Sequence, residues 1–227
     1  MSNSIQLKRA SSQLVKATAT PQISEPMLKR PLDFVLSTIG LLLSAPLWLI
    51  IAVAIKLADG GPVFFSQERW GKMGKKFRVL KFRTMIVNAD TQDGPQQARE
   101  HDGRVTRIGG FLRATGMDEL PQLISIWSGR MSLVGPRALA VGEIVLDGNG
   151  RRVYYEQVAG FYERLAVRPG LTGVATIFLP KDAHPRRKFR YDLFYIRRQS
   201  FWFDIRLIAL SLWISIRGKW ETRALKV

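Results

Sequence analysis

Between Phe34 and Ile55 the chain runs for 22 residues without a charge, FVLSTIGLLLSAPLWLIIAVAI. As one helix this stretch would measure about 33 Å, against about 30 Å for the hydrocarbon core of a bilayer. A chain of 227 residues has little volume in which to hide a helix that is apolar all round, so the stretch is expected at a membrane. It begins late, exceeds the apolar core of a secretory leader and shows no cleavage pattern before Lys56, so it reads as retained. Two features oppose a simple crossing. Pro46 removes a backbone donor and its ring collides with the carbonyl of Leu42, which predicts a kink or break there, with Ser44 placed to satisfy freed backbone groups. Lys29 and Arg30 precede the stretch, and Lys56, Arg69, Lys72, Lys75, Lys76 and Arg78 follow it. Basic residues mark the cytoplasmic side, and here both flanks are basic. A helix–break–helix that enters and leaves one leaflet meets both constraints; a kinked spanning helix is the alternative that the residues leave open.

Charge narrows the partners. The chain has 35 Lys and Arg against 18 Asp and Glu, a formal +17, which calls for nucleic acid, an anionic membrane face or phosphorylated substrates. With no cysteine there is no disulfide framework, no Cys-ligated metal and no thiol nucleophile. Two histidines, His101 and His184, argue against a His-rich metal site. Any chemistry must come from carboxylates, hydroxyls or cations.

Along the chain, residues 1–27 read as a polar N-terminal tail. The apolar segment occupies 28–58, a domain follows over 59–220, and 221–227 is a short C-terminal tail. Val63–Phe65 and Phe77–Phe82 predict a hairpin around a Gly-rich loop, and Thr91–Gly103 a polar loop. Asp118-Glu119-Leu120-Pro121-Gln122 opens a helix that stops at Gly129, with Asp118 as N-cap or first-turn acid. Arg168-Pro169-Gly170 predicts a type II turn, and Leu171–Phe178 a strand. Tyr191–Gln199 predicts a basic helix. Phe201–Ile216, with Trp202, Trp213, Arg206 and Arg217, has the make-up of a helix lying in a membrane interface or buried in a core.

Candidate chemistry concentrates between Arg104 and Gly142. There Asp118 and Glu119 are the only acids among five arginines, Arg104, Arg107, Arg113, Arg130 and Arg137. Such a pair can simply favour a helix start. It can also work chemically: nearby arginines keep Asp118 ionised, and an ionised carboxylate attacks phosphorus when a divalent metal screens the repulsion. Asp118 and Glu119 are hard oxygen donors, suited to Mg²⁺. Lys81 and Arg83 flank Phe82 on the expected strand and so share a face, and Arg137 follows Gly135-Pro136 on a tight turn; these cations supply phosphate contacts. No Walker-type loop and no GxGxxG is present.

These residues resemble a known family, the monotopic phosphoglycosyl transferases among the bacterial sugar transferases, which begin exopolysaccharide, capsule or O-antigen repeats. The resemblance runs from Lys29 to about Trp220. It rests on Lys29-Arg30-Pro-Leu-Asp33, Gly-Pro-Val-Phe-Phe, Lys81-Phe-Arg83-Thr-Met, Arg104-Val-Thr-Arg-Ile-Gly, Asp118-Glu119-Leu-Pro-Gln122, Ser132-Leu-Val-Gly-Pro-Arg137 and Arg168-Pro-Gly-Leu-Thr-Gly. It implies a helix-rich α+β fold: a re-entrant membrane helix broken at Ser44 and Pro46, then a small catalytic domain with short strands and amphipathic interfacial helices. Both termini would be cytoplasmic, on the inner membrane. It further implies that Asp118 attacks the sugar-proximal phosphate of a UDP-sugar, releasing UMP, and that undecaprenyl phosphate then takes the phosphosugar. Glu119 would assist with Mg²⁺ or with the acceptor's proton, Arg113 would contact phosphate and Arg137 the nucleotide. UDP-sugar, undecaprenyl phosphate and membrane phospholipid are the implied partners, nucleic acid is not, and a homo-oligomer is left open. Glucose or galactose is the sugar that the resemblance suggests. Two departures stand out: Ala45 separates Ser44 from Pro46, and Ala138 stands where the family's Pro-Arg-Pro turn has its second proline. The alternative is a membrane-tethered basic module that binds anionic lipid or nucleic acid without catalysis. A scaffold partner would need only the apolar segments. The aromatics fall mostly in apolar runs, unlike a nucleic-acid stacking platform.

Overall fold

The computed structural model describes residues 23–87, 89, 102–146, 151–180 and 183–220. The tail before residue 23, positions 91–101 of the polar loop and the tail 221–227 lie outside the described residues. In chain order the elements are α1 (Lys29–Asp59), β1 (Phe64–Trp70), β2 (Lys76–Phe82), α2 (Arg107–Thr115), a 3₁₀ turn (Met117–Gln122), α3 (Leu123–Trp127), β3 (Ser132–Val134), β4 (Ile144–Leu146), β5 (Arg152–Tyr154), α4 (Phe161–Arg164), β6 (Gly170–Thr172), α5 (Val174–Phe178), α6 (Pro185–Arg198) and α7 (Phe201–Ile216). The fold is helix-rich α+β, with antiparallel pairs β1–β2 and β4–β5 and a parallel pair β3–β6.

The chain stays helical through the expected break site. α1 is one continuous helix of 31 residues with Pro46 inside it. Proline's fixed φ is helical, so it costs one hydrogen bond and displaces one carbonyl without having to end the helix. Around it the Ser44 hydroxyl donates to the Leu41 carbonyl at 3.5 Å and accepts from Trp48 Nε1 at 3.1 Å, which ties the turn together.

The face that α1 buries is largely polar. Lys29, Asp33, Ser37, Ser44, Ile51 and Ile55 recur at steps of four or seven and form one stripe toward the protein. Asp33 Oδ1 accepts from Leu133 N at 2.8 Å and Ser132 Oγ at 3.1 Å. Arg30 donates to the carbonyls of Ile126 and Trp127, both at 2.6 Å, and so caps the C-terminal end of α3. The opposite face is apolar and bare: Leu42, Leu43 and Leu57 are 72%, 78% and 82% exposed. Polar groups toward the protein and leucines away from it reverse the pattern of a water-soluble surface helix, and mark a membrane-associated face. Both ends stay on the same domain, through Lys29 to Asp204 and through Ile51 and Ile55 to Phe82 and Leu112.

The hairpin is longer on its first strand than the sequence suggests, running in register from Phe64↔Phe82 to Trp70↔Lys76. Phe64 stacks on Phe82 at 5.3 Å, and Trp48 of α1 meets Phe82 edge-on at 5.6 Å, which fixes the hairpin against the membrane helix.

Two expectations after Arg168 are corrected. Gly170 has no positive φ, so no type II turn forms, and the strand stops at Thr172 before helix α5. Backbone crowding sets both. A Cβ on Gly170 would lie 2.1 Å from Gly135 N, and Gly170 N donates to the Pro136 carbonyl at 2.9 Å. Glycine therefore serves close approach here rather than a left-handed turn. The strand pair is only three residues long, after which Val174 and Ile177 are buried on the inner face of α5. α6 begins six residues before the basic helix expected from the sequence, with His184 as N-cap and proline in its first turn. α7 is capped by Ser200, buries Leu207 and Ile214, and exposes Trp202, Leu212, Trp213 and Ile216. That is the two-sided character of an interfacial helix.

Candidate active site

The acid pair is set by a sharp change of direction. Thr106 Oγ1 accepts from Gly109 N at 2.9 Å and caps α2, which ends at Gly116 in the left-handed region, φ 74°. The chain re-enters a helical turn at once, and Asp118 and Glu119 occupy its first turn. The N-cap is Gly116, whose carbonyl accepts from Glu119 N at 3.1 Å, so Asp118 is the first-turn acid of the two expected placements. A side chain at 116 would also meet the Trp220 ring at 3.1 Å, and Trp220 N donates to the Ala114 carbonyl at 3.1 Å. The end of the domain thus braces the turn that carries the acids.

Two of the expected cations converge on this pair. Lys81 Nζ lies 2.5 Å from Glu119 Oε1 and 4.0 Å from Asp118 Oδ2; Arg137 Nη2 donates to the same Glu119 oxygen at 2.9 Å. Burial disfavours the charged form of Glu119, but Arg137 and Lys81 together outweigh it and hold the carboxyl well below the usual carboxylate range. Glu119 in turn raises the Arg137 guanidinium above its ordinary value, while burial lowers the Lys81 ammonium. The ionised form of Glu119 is thus favoured where Lys81 and Arg137 meet. Asp118 sits beside it, its side chain 14% exposed and 4.0 Å from Lys81 Nζ.

The other expected site residues are placed differently. Arg83 follows the last residue of β2, and its backbone N–H still donates to the Val63 carbonyl at 2.9 Å. Arg83 is buried and forms an ion pair with Asp59 at the end of α1. Arg113 lies in the last turn of α2, just ahead of the Gly116 turn. Ser44 and Pro46 belong to α1 and its packing, as described above.

Sequence reading missed Arg69, Gln122 and Arg164. Arg69 Nη1 donates to the Ala138 carbonyl at 2.8 Å, and Arg164 Nη2 to the Arg137 carbonyl at 2.8 Å. Arg164 is itself held by Asp192 Oδ2 at 2.7 Å. The half-buried Arg69 and the buried Arg164 thus hold consecutive carbonyls of the loop that carries Arg137. This is the loop in which Ala138 replaces the family's second proline. Arg69, Lys81, Glu119, Gln122, Arg137 and Gly170 line one cleft. Arg69 falls on the Lys81 face of the hairpin by cross-strand register, a signal that needs the pairing to be known.

Among the described residues no group of three or more His, Cys, Asp or Glu gathers that could hold a metal by itself. The expected Mg²⁺ donors, Asp118 and Glu119, are two carboxylates that both face Lys81. That ion is commonly held by one or two carboxylates together with substrate phosphates, and keeps several waters.

A sequence model of bacterial sugar transferases matches residues 24–218. The chain belongs to the bacterial sugar transferase family. Among the relatives of this chain, the UDP-glucose:undecaprenyl-phosphate glucose-1-phosphate transferase of Xanthomonas campestris pv. campestris is 41% identical over 185 residues, covering 79% of this chain and 37% of that protein. The Escherichia coli (strain K12) protein of the same name is 41% identical over 194 residues, 82% of this chain and 39% of that one. The exopolysaccharide production protein PSS of Rhizobium leguminosarum bv. phaseoli is 41% identical over 187 residues, 80% of this chain and 92% of that protein. The chain thus spans well under half the length of the first two relatives and nearly all of the third.

Proposed function

We propose that the chain is a phosphoglycosyl transferase that moves a sugar 1-phosphate from a UDP-sugar to undecaprenyl phosphate. The names of the relatives support this class of reaction, and support glucose as the first sugar to try. The observation that carries the reading is the paired site. Two adjacent acids on one helical turn face two cations, one of which lies within 4.0 Å of both acids. A basic binding module would need neither acid.

In this reading the chain works by division of labour. Asp118 Oδ attacks the sugar-proximal phosphorus; the new O–P bond forms as the bond to the nucleotide's phosphate breaks, and UMP leaves with the electron pair. An oxygen of undecaprenyl phosphate then attacks the same phosphorus, the aspartyl–phosphorus bond breaks and the carboxylate is regenerated. Lys81 and Arg137 orient the transferred phosphoryl group and receive its developing charge. Glu119, held ionised, keeps those cations in place rather than moving protons. Asp118 and Glu119 would hold Mg²⁺ together with substrate phosphates; when bound, the ion screens the repulsion between carboxylate and phosphate. The exposed apolar faces of α1 and α7 bring the site to the bilayer, where the lipid acceptor resides. That both ends of α1 hold the same domain supports a membrane insertion from which the chain does not emerge on the far side, with both termini cytoplasmic.

The test is UMP release by detergent-purified chain supplied with UDP-glucose, undecaprenyl phosphate and Mg²⁺. Release should disappear in Asp118→Asn. Equal turnover by that variant rejects the nucleophile, and silence with each of several UDP-sugars rejects the transferase reading.

A further inference from the structure

A second cleft shares Arg137 with the first and is lined by Trp70, Gly71, Pro136, Arg137, Leu165 and Pro169. Two further cations neighbour its lining residues in the chain: Lys72 follows Gly71 and Arg168 precedes Pro169. Both turn onto one carboxylate, that of Glu25, in the segment ahead of α1. Lys72 Nζ donates to Oε1 at 2.9 Å and the Arg168 backbone N–H to the same oxygen at 3.4 Å, while Arg168 Nη1 bonds to Oε2. Three donors from two separate loops, gripping both oxygens of one anion, make the kind of charge-assisted cradle that also suits a phosphate. The carboxylate is the enclosed partner at 11% exposed, whereas the Lys72 side chain is 36% exposed and can be approached from solvent.

Charge gives this cradle a use. Around the acid pair the cations are already matched: Lys81, Arg69 and Arg137 face Asp118, Glu119 and Glu143. A nucleoside diphosphate sugar brings two phosphates; in the reading above Lys81 and Arg137 serve the transferred one, and the other gains from cations further out. Lys72 and Arg168 adjoin residues that line the cleft Arg137 shares, and the acid they both hold, Glu25, sits on a segment outside the paired site.

We propose that Lys72 and Arg168 form a second anion subsite, which takes the nucleotide-side phosphate of the donor, and that Glu25 occupies it until the donor displaces it. The proposal rests on the transferase reading for the identity of the donor. The anion site itself does not depend on that reading. Glu25 then competes with substrate as a tethered anion, and its removal strengthens nucleotide binding although it deletes an ion pair.

The experiment follows the thermal midpoint of the full detergent-solubilised chain against inorganic phosphate and, separately, against UMP. Glu25→Gln should lower the concentration for half-maximal stabilisation by about two- to fivefold for both ligands, the worth of one partly exposed ion pair. Adding Lys72→Met to Glu25→Gln should reverse that gain. If Glu25→Gln lowers the midpoint and leaves both concentration dependences unchanged, Glu25 is only a strut and the subsite is refuted. If phosphate responds and UMP does not, the cradle lies beyond the donor's reach and its assignment to the donor fails. Neither readout needs turnover. A chain that binds UMP in this way but releases none from any UDP-sugar would overturn the transferase reading and leave the anion site standing.

Discussion

Lys29→Met tests how the membrane helix is docked. The Lys29 ammonium is 2% exposed and places its donors on the Val134 carbonyl at 2.9 Å, the Tyr195 hydroxyl at 2.9 Å and Asp204 Oδ2 at 2.6 Å. Tyr195 in turn donates to Asp204 Oδ1 at 2.7 Å. Methionine keeps most of the stem and removes every donor, which leaves a buried carboxylate with only the tyrosine and a buried carbonyl short of its strongest partner. Removing one member of a buried ion pair costs about 3–5 kcal/mol. For a chain of this size each kcal/mol lowers the midpoint by about 2–4 °C, so a fall of roughly 6–20 °C is expected. Thermal unfolding in a fixed detergent, with the Lys29→Met/Asp204→Leu double variant alongside, measures it. The double variant should recover more than half of the loss, because an apolar pair carries no stranded charge. A single-variant loss below about 1 kcal/mol, the worth of an exposed pair, would refute the claim that this cluster anchors α1.

Three further outcomes follow. Glu119 has a folded-state pKa below its ordinary value, so its stabilisation is complete above the usual carboxylate range and is lost as pH falls through that range toward the folded value. The wild-type midpoint should therefore fall more steeply on acidification than that of Glu119→Gln, and parallel curves would contradict the ion-pair geometry. Leu43→Asp puts a charge on the outward apolar face and should weaken vesicle partitioning on the order of 100-fold, whereas unchanged sedimentation with vesicles would show that this face does not meet lipid. Gly170→Ala forces a methyl group to within 2.1 Å of Gly135 N and should lower both stability and UMP affinity by displacing the Arg137 loop; normal values for both would show that the glycine contact is dispensable.

Local chemistry made part of this molecule legible from sequence. The hairpin followed from turn residues between β-branched and aromatic runs, and the acid pair from its place in the first turn of a segment closed by glycine. The interfacial character of α7 followed from its tryptophans and arginines. What escaped was tertiary. The Ser44–Trp48 bond and the packed polar stripe, which keep α1 helical through Pro46, are not visible in a hydropathy pattern. Gly170 was assigned to a turn because its actual neighbour, Gly135, lies 35 positions earlier. The ion pair that holds Arg83 is equally hidden in the sequence, because its acid, Asp59, ends a different element, α1. Arg164 looked like one cation among many because Asp192, which makes its burial tolerable, sits on another helix.

The most direct measurement of the central claim is to trap the chain part-way through its reaction. Detergent-purified protein incubated with UDP-glucose and Mg²⁺ in the absence of lipid acceptor, then digested and mapped by mass spectrometry, should carry a hexose phosphate on Asp118 and release its equivalent of UMP. The same adduct on Glu119, or stoichiometric UMP release with Asp118 unmodified, would contradict the account.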